Sequence, residues 1–380
     1  MATRGTGYSH SGELTRTVHG GDWQGAVDRY GWRVDEILDF SANINPLGPP
    51  AGVLAVLKEN LAAIQRYPDP ASRRFKEALA SSTQLETGSL IAANGAVELI
   101  YLVLQVLKPQ RVLVSEPTFS EYHRAARAAG AGVVTITLDP EADFSFDLER
   151  WRRELPGVQL AFICNPDNPT GRLLAPNILQ EVVNCCQAAG VFLVVDESFL
   201  DFIPNGEEYS LARLAATRPG LLILHSLTKI YALPGLRLGY GVGHPELVSR
   251  LETGRDPWSV NILAQMAGVI ALGETGYIKE TQALIGREKE FLWQHLAKLA
   301  GFQPYNPEVN FILTRILDDR LAAPVLAELL ARRGILIRDC SSFPGLGPHY
   351  FRVAVRDRQA NERLLAALGE LVAGIPASEP

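Results

Sequence analysis

The chain has 380 residues, 47% hydrophobic and 21% charged, the balance of a soluble globular protein with room for a large core and two domains. Its net charge of −6, from 36 basic and 42 acidic side chains with no basic tract, argues against nucleic acid or an anionic membrane as a partner. The four cysteines (Cys164, Cys185, Cys186, Cys340) lack zinc-ligand spacing, so no metal site is expected, and reduced cysteines fit a cytoplasmic location.

In chain order, residues 1–8 lack the apolar core of a signal peptide, and residues 1–45, rich in Gly, Thr and Asp, read as an extended arm. The strongly apolar helical stretch 97–107 carries Glu98 and Gln105 and is too short to span a bilayer. Between 46 and 265, helical patterns alternate with short apolar runs at 112–114, 160–163, 191–195 and 221–224, which read as buried strands. The stretch 178–189, holding Cys185 and Cys186, is one of the helices between them. This alternation predicts an α/β domain with a mostly parallel sheet covered on both faces. Residues 266–380 differ: a long charged helix over about 277–299, a strand at 310–313, a helix near 322–333, strands at 335–338 and 350–355, and a final helix. They predict a smaller α+β domain.

Three of the apolar runs end in polar clusters: Asn165-Pro166-Asp167-Asn168-Pro169-Thr170-Gly171, Asp196-Glu197-Ser198, and Ser226-Leu227-Thr228-Lys229. Ligands of open parallel sheets bind beyond the carboxyl ends of the strands, so these clusters are expected to converge. Lys229, set in apolar surroundings, is a candidate Schiff-base lysine, because desolvation depresses an amine's pKa and makes it nucleophilic. Ser226 and Arg237 can hold a phosphate, and Asn94 is a plausible cap for a helix whose small first residues, Gly95 and Ala96, expose backbone N–H groups to one. Asp196, just past an apolar run, needs a partner; a protonated pyridine nitrogen would serve, although a strand-end Asp is also an ordinary N-cap. Asn168 can donate to a phenolate oxygen or simply stabilise a turn, and Phe119 can stack on a ring or fill the core. An amine, a phosphate cup, a carboxylate and a stacking ring together point to pyridoxal 5′-phosphate (PLP).

In this order and spacing, Asn168-Pro169-Thr170-Gly171, Asp196, Ser226-x-x-Lys229 and Arg237 resemble the fold-type I PLP enzymes, the aspartate aminotransferase superfamily, over roughly residues 19–370. The resemblance implies a large PLP domain at 46–265, a small domain at 266–380 joined by the arm, and a homodimer with shared active sites. Tyr67, in Arg66-Tyr67-Pro68-Asp69, matches the tyrosine that reaches the partner's cofactor phosphate. Within the superfamily, His19-Gly20-Gly21, the run from Asp39 to Gly48, Asp201-Phe202-Ile203-Pro204, Pro257-Trp258-Ser259-Val260-Asn261 and the Arg338 to Arg352 segment resemble the L-threonine-O-3-phosphate decarboxylases of cobalamin biosynthesis. That implies substrate contacts from His19, Gly20, Asn43, Asn168, Arg338 and Arg352. It also implies release of carbon dioxide to leave (R)-1-amino-2-propanol O-2-phosphate. Asp22 departs from the pattern: an uncharged polar residue is expected there, and an acid beside a phosphate pocket is unfavourable unless it points away.

Histidinol-phosphate aminotransferase is the competing relative, and motif spacing does not separate the two reactions. Serine phosphate lacks one methyl of threonine phosphate, a difference worth only about 1–3 kcal/mol, and stays open as a substrate. A regulator with an aminotransferase-like domain would need a DNA-binding pattern, which residues 1–45 lack. Gly239-Tyr240-Gly241-Val242-Gly243 does not have dinucleotide-binding spacing.

Overall fold

The computed structural model describes residues 19–373. After a two-residue strand β1 (Leu38–Asp39) come seven strands: β2 (Leu90–Ala93), β3 (Arg111–Glu116), β4 (Gly132–Thr137), β5 (Leu160–Cys164), β6 (Phe192–Asp196), β7 (Leu221–Ser226) and β8 (Gly239–Gly243). They form one sheet in the order β2-β8-β7-β6-β5-β3-β4. Only β8 runs against its neighbours, pairing antiparallel with β2 and β7; the other pairs are parallel.

Alternate side chains of these strands enter two cores. Ile91, Val112, Val114, Phe162, Val194, Leu222 and Leu224 pack with the helices Ala96–Leu107, Glu121–Ala128 and Pro245–Thr253 on one face. Leu113, Ala161, Ile163, Leu193, Val195, Leu221 and Ile223 pack on the other, with the helix Pro176–Ala188 and the C-terminal elements. A strand buried on both faces has no polar side to alternate, which is why these segments read as continuous apolar runs.

Strand β8 carried no such signal, because three of its five residues are glycine, and packing requires them. A Cβ on Gly239 would lie 2.7 Å from both Ala96 N and His225 O, and one on Gly241 would lie 2.8 Å from Leu99 Cδ1. Edge strands β4, with one buried residue in six, and β2, only four residues long, were also missed.

The C-terminal part contributes β9 (Phe302–Pro304), β10 (Phe311–Ile316), β11 (Ile335–Leu336), β12 (Arg338–Asp339) and β13 (Tyr350–Ala354). An antiparallel sheet of order β12-β13-β10-β9 packs with the helices Thr275–Leu296 and Arg358–Ala373. The single strand expected at 335–338 is two, broken at Ile337: β11 pairs parallel with β1, and β12 pairs with β13. The N-terminal segment is not extended throughout its described part. A helix, Trp23–Tyr30, begins at Asp22, whose carboxylate accepts from Gly25 N at 3.0 Å. Asp22 is therefore a helix cap, which resolves its awkward charge. Among the described residues no helix is long and apolar enough to cross a membrane.

Candidate active site

Strand register brings the polar clusters to one edge. Cys164 lies opposite Asp196, Asp196 opposite Leu224, Ser226 opposite Gly239, and Gly239 opposite Ala93. The ends of β5, β6, β7 and β2 therefore place the Asn168 loop, Asp196, Lys229 and Gly95 side by side.

Lys229 follows β7 in the one-turn helix Leu227–Ile230. Its Nζ donates to Thr228 Oγ1 at 3.1 Å and Ser226 Oγ at 3.3 Å, and those two hydroxyls lie 2.6 Å apart. Burial lowers the Lys229 pKa to about 8; nearby Arg237 pushes the same way and Asp196 opposes. The amine is thus neutral over much of the mildly alkaline range.

Asp196 is 4% exposed. Its Oδ2 accepts from Tyr122 OH at 2.8 Å and its Oδ1 from Ser198 N at 3.0 Å. Tyr122 is held by stacking on Phe162, with ring centroids 4.9 Å apart and planes 10° apart. Burial, then the charge of Asp196, raises the Tyr122 pKa far above that of an ordinary phenol, so its hydroxyl stays a donor.

Gly95, not Asn94, is the N-cap of the helix Ala96–Leu107. Its φ of +75° favours glycine, and a Cβ there would lie 2.4 Å from Arg237 Nη2. The glycine thus leaves a cradle in which the Arg237 guanidinium sits over a helix N-terminus. With the Ser226 and Thr228 hydroxyls, this is a donor set suited to a phosphate.

Beyond Lys229 opens a cavity of about 490 Å³. His19, Gly20, Asn43, Phe119, Asn168, Lys229, Arg237, Arg338 and Arg352 all line it. Ala96, Asp196 and Ser226 line the recess beneath, again with Phe119, Asn168, Lys229 and Arg237. Arg338 and Arg352 are each 5% exposed and stand directly opposite one another on β12 and β13. Arg338 donates to Ser342 Oγ at 2.9 Å and lies 5.0 Å from the Phe343 ring centroid. Arg352 donates to Ser41 O at 3.0 Å and to Asn168 Oδ1, and lies 5.1 Å from the Phe311 ring centroid. Neither guanidinium forms an ion pair among the described residues. Burial lowers the pKa of Arg352 to about 10 and that of Arg338 as well. Two buried cations facing each other across a sheet are destabilising unless an anion joins them.

The arm supplies the remaining wall. Gly20 passes so close to Ser41 that a Cβ would meet its carbonyl oxygen at 2.0 Å. The buried Asn43 leaves its Oδ1 without a hydrogen-bond partner among the described residues. Of the residues expected at the site, Tyr67 alone lies elsewhere: it is 79% exposed and packs on Trp258 at 4.7 Å.

Sequence reasoning missed Tyr122, Ser41, Trp23 and Glu121. Tyr122 stands three residues after Phe119 at a helix start, a spacing that could have flagged it. The contact between Tyr122 and Asp196 joins segments 74 residues apart, and no local pattern encodes that.

The family description "Aminotransferase class I and II" matches residues 35–368. A threonine-phosphate decarboxylase of Salmonella typhimurium is 37% identical over 95% of this chain and 98% of its own length. A histidinol-phosphate aminotransferase of Symbiobacterium thermophilum is 35% identical over 88% of this chain and 91% of its own. Among solved structures, the L-threonine-O-3-phosphate decarboxylase of Porphyromonas gingivalis superposes with a TM-score of 0.78 at 26% identity, covering 89% of this chain and all of that one.

Proposed function

The chain belongs to the aminotransferase class I and II family, and on that premise we propose that it is a PLP-dependent threonine-phosphate decarboxylase. The observation that carries this reading is the Arg338–Arg352 pair, two buried facing guanidiniums with no ion pair among the described residues, set where a substrate with two anionic ends would lie. The His19-Gly20 arm beside that pair favours the same substrate.

The residues fit the cofactor. Gly95 leaves room for Arg237 over a helix start, where both can meet a phosphate, Asp196 with its Tyr122 and Ser198 contacts suits a ring N–H, and Lys229 is a desolvated amine. When bound, PLP supplies the electron sink that accepts the electron pair of a bond broken at the substrate's Cα. Ser226, Thr228, Arg237 and the helix start at Ala96 would hold the phosphate, and Phe119 would flank the ring. Arg338 and Arg352 bind the substrate's phosphate and carboxylate as planar forks and fix which bond at Cα stands across the ring. His19, Gly20, Asn43 and Asn168 complete the fit. Lys229 would hold the cofactor's aldehyde carbon and supply the amine that moves a proton at Cα. With loss of carbon dioxide the product is (R)-1-amino-2-propanol O-2-phosphate, the cobalamin side-chain precursor.

Incubation with threonine phosphate and no keto acid tests the reaction. Stoichiometric carbon dioxide with the cofactor still in its aldehyde form is expected; conversion of the cofactor to its pyridoxamine form would instead support the aminotransferase reading, which the Symbiobacterium relative keeps in view. Serine phosphate, tried in parallel, reads the contribution of one methyl.

The homodimer belongs to the same proposal. Leu54, Leu61, Ile64, Tyr67 and Trp258 are large exposed apolar side chains, and their burial by a second copy would bring Tyr67 toward the partner's cofactor phosphate. The four free cysteines support a cytoplasmic setting.

A further inference from the structure

Glu121 opens the helix Glu121–Ala128 on the wall of the cleft, between Ser120, which lines the cavity, and Tyr122, which holds Asp196. It is only 5% exposed, and the mechanism above gives it no task. A buried carboxylate persists only where it is satisfied, and three groups from three segments satisfy this one. His19 Nε2 lies 3.0 Å from its Oε1, Tyr101 OH donates to its Oε2 at 2.6 Å, and Arg124 Nη1 stands 3.6 Å away. The Glu121 pKa lies below the usual carboxylate value: burial alone would raise it, and the His19, Tyr101 and Arg124 contacts outweigh that. Tyr101 belongs to the helix Ala96–Leu107 whose start borders the phosphate cup. The carboxylate therefore ties the arm to the helix whose start forms part of the phosphate cup.

We propose that Glu121 is a positioning residue that seats His19 against the phosphate of the substrate. Glu121 accepts from Nε2, which fixes the ring's orientation and leaves Nδ1 as its remaining polar atom. A phosphate oxygen is then met at Nδ1, on the side of the ring away from Glu121. The other charged groups at this wall are Arg124 beside Glu121 and, across the cavity, Asp39, Lys229, Arg237, Arg338 and Arg352. Without Glu121, the His19 imidazole, about half exposed, would keep only its ring contact with Phe119 among the described residues. The inference rests on the threonine-phosphate reading.

The test is a double-mutant cycle on the PLP-loaded enzyme, read as dissociation constants from the visible spectrum of the cofactor during titration. The proteins are wild type, Glu121→Gln, His19→Ala and the double variant; the ligands are threonine phosphate and L-threonine. Glu121→Gln is expected to keep its cofactor and to weaken threonine phosphate about tenfold, the scale of one charge-assisted hydrogen bond. It should leave L-threonine within about twofold, and the double variant should be no weaker than His19→Ala alone. Equal weakening of both ligands, or full additivity with His19→Ala, would reduce Glu121 to a structural prop and overturn the proposal. If wild type binds L-threonine but not threonine phosphate, the substrate reading itself falls and takes this inference with it; if it binds both and the cycle shows no coupling, only the inference falls.

Discussion

In the proposed reaction the chemistry turns on Lys229, and its surroundings set when it would act. Its amine must be neutral to attack the cofactor's aldehyde. Burial moves its pKa from the ordinary 10.5 to about 8, so the neutral fraction climbs through pH 8 rather than two units higher. Capture of PLP by cofactor-free protein should therefore accelerate between about pH 6.5 and 8 and level off above, a profile stopped-flow absorbance can record. A rate still climbing tenfold per unit at pH 9 would place Lys229 in a wetter site than the one described. Tyr122 is the second residue to probe. Tyr122→Phe keeps the stack on Phe162 but deprives Asp196 of one of its two hydrogen bonds. Loss of a bond to a buried carboxylate costs about 1–3 kcal/mol. The expectation is a kcat lower by about tenfold with KM changed less than twofold; an unchanged kcat would show that Ser198 N alone suffices.

At the scale of elements, the pairing of β12 with β13 has the clearest energetic signature. It sets Arg338 opposite Arg352, and like charges directly opposite in a sheet are unfavourable by roughly 0.2–1 kcal/mol. Arg338→Met removes that repulsion while keeping an unbranched chain over Phe343. Ligand-free protein carrying it should melt no lower than wild type, whereas the stabilisation conferred by threonine phosphate should largely vanish, reflecting a loss of roughly 2–5 kcal/mol of binding. Thermal unfolding with and without ligand separates the two effects; a lower melting point without ligand would mean the arginine supports the sheet on its own account. Elements also show where sequence reading worked and where it stopped. Four of the strands buried on both faces were legible because their apolar runs are unbroken, whereas the four-residue β2 was passed over. Strand β8 was not, because close packing there demands glycine, and glycine carries no hydrophobic signal. The arm's helix was missed because its only buried residue is Ala26.

For the whole molecule, Tyr67 poses the open structural question. It is a long way from being buried, and its neighbours Leu61, Ile64 and Trp258 are exposed as well. In the dimer proposed above, a second copy would cover all four and the active site would be complete only in the assembly. Trp258→Asp places a charge within that surface and should shift the protein from dimer to monomer by sedimentation, with activity falling in proportion to the monomer fraction. A monomeric wild type would refute this assembly.

The sequence by itself determined the chemistry on offer: an amine, a carboxylate, a helix start suited to a phosphate and two arginines, each on or beside an apolar run strong enough to show its element. It did so because strand burial and helix starts are local properties that local residue patterns record. Only the tertiary structure decided how these groups are held. The Tyr122 grip on Asp196, the cradle that Gly95 leaves for Arg237, the arginines face to face and the Glu121 anchor for His19 all join segments far apart in the chain. Such contacts are fixed by strand register and layer packing, to which the order of residues along a single segment is blind.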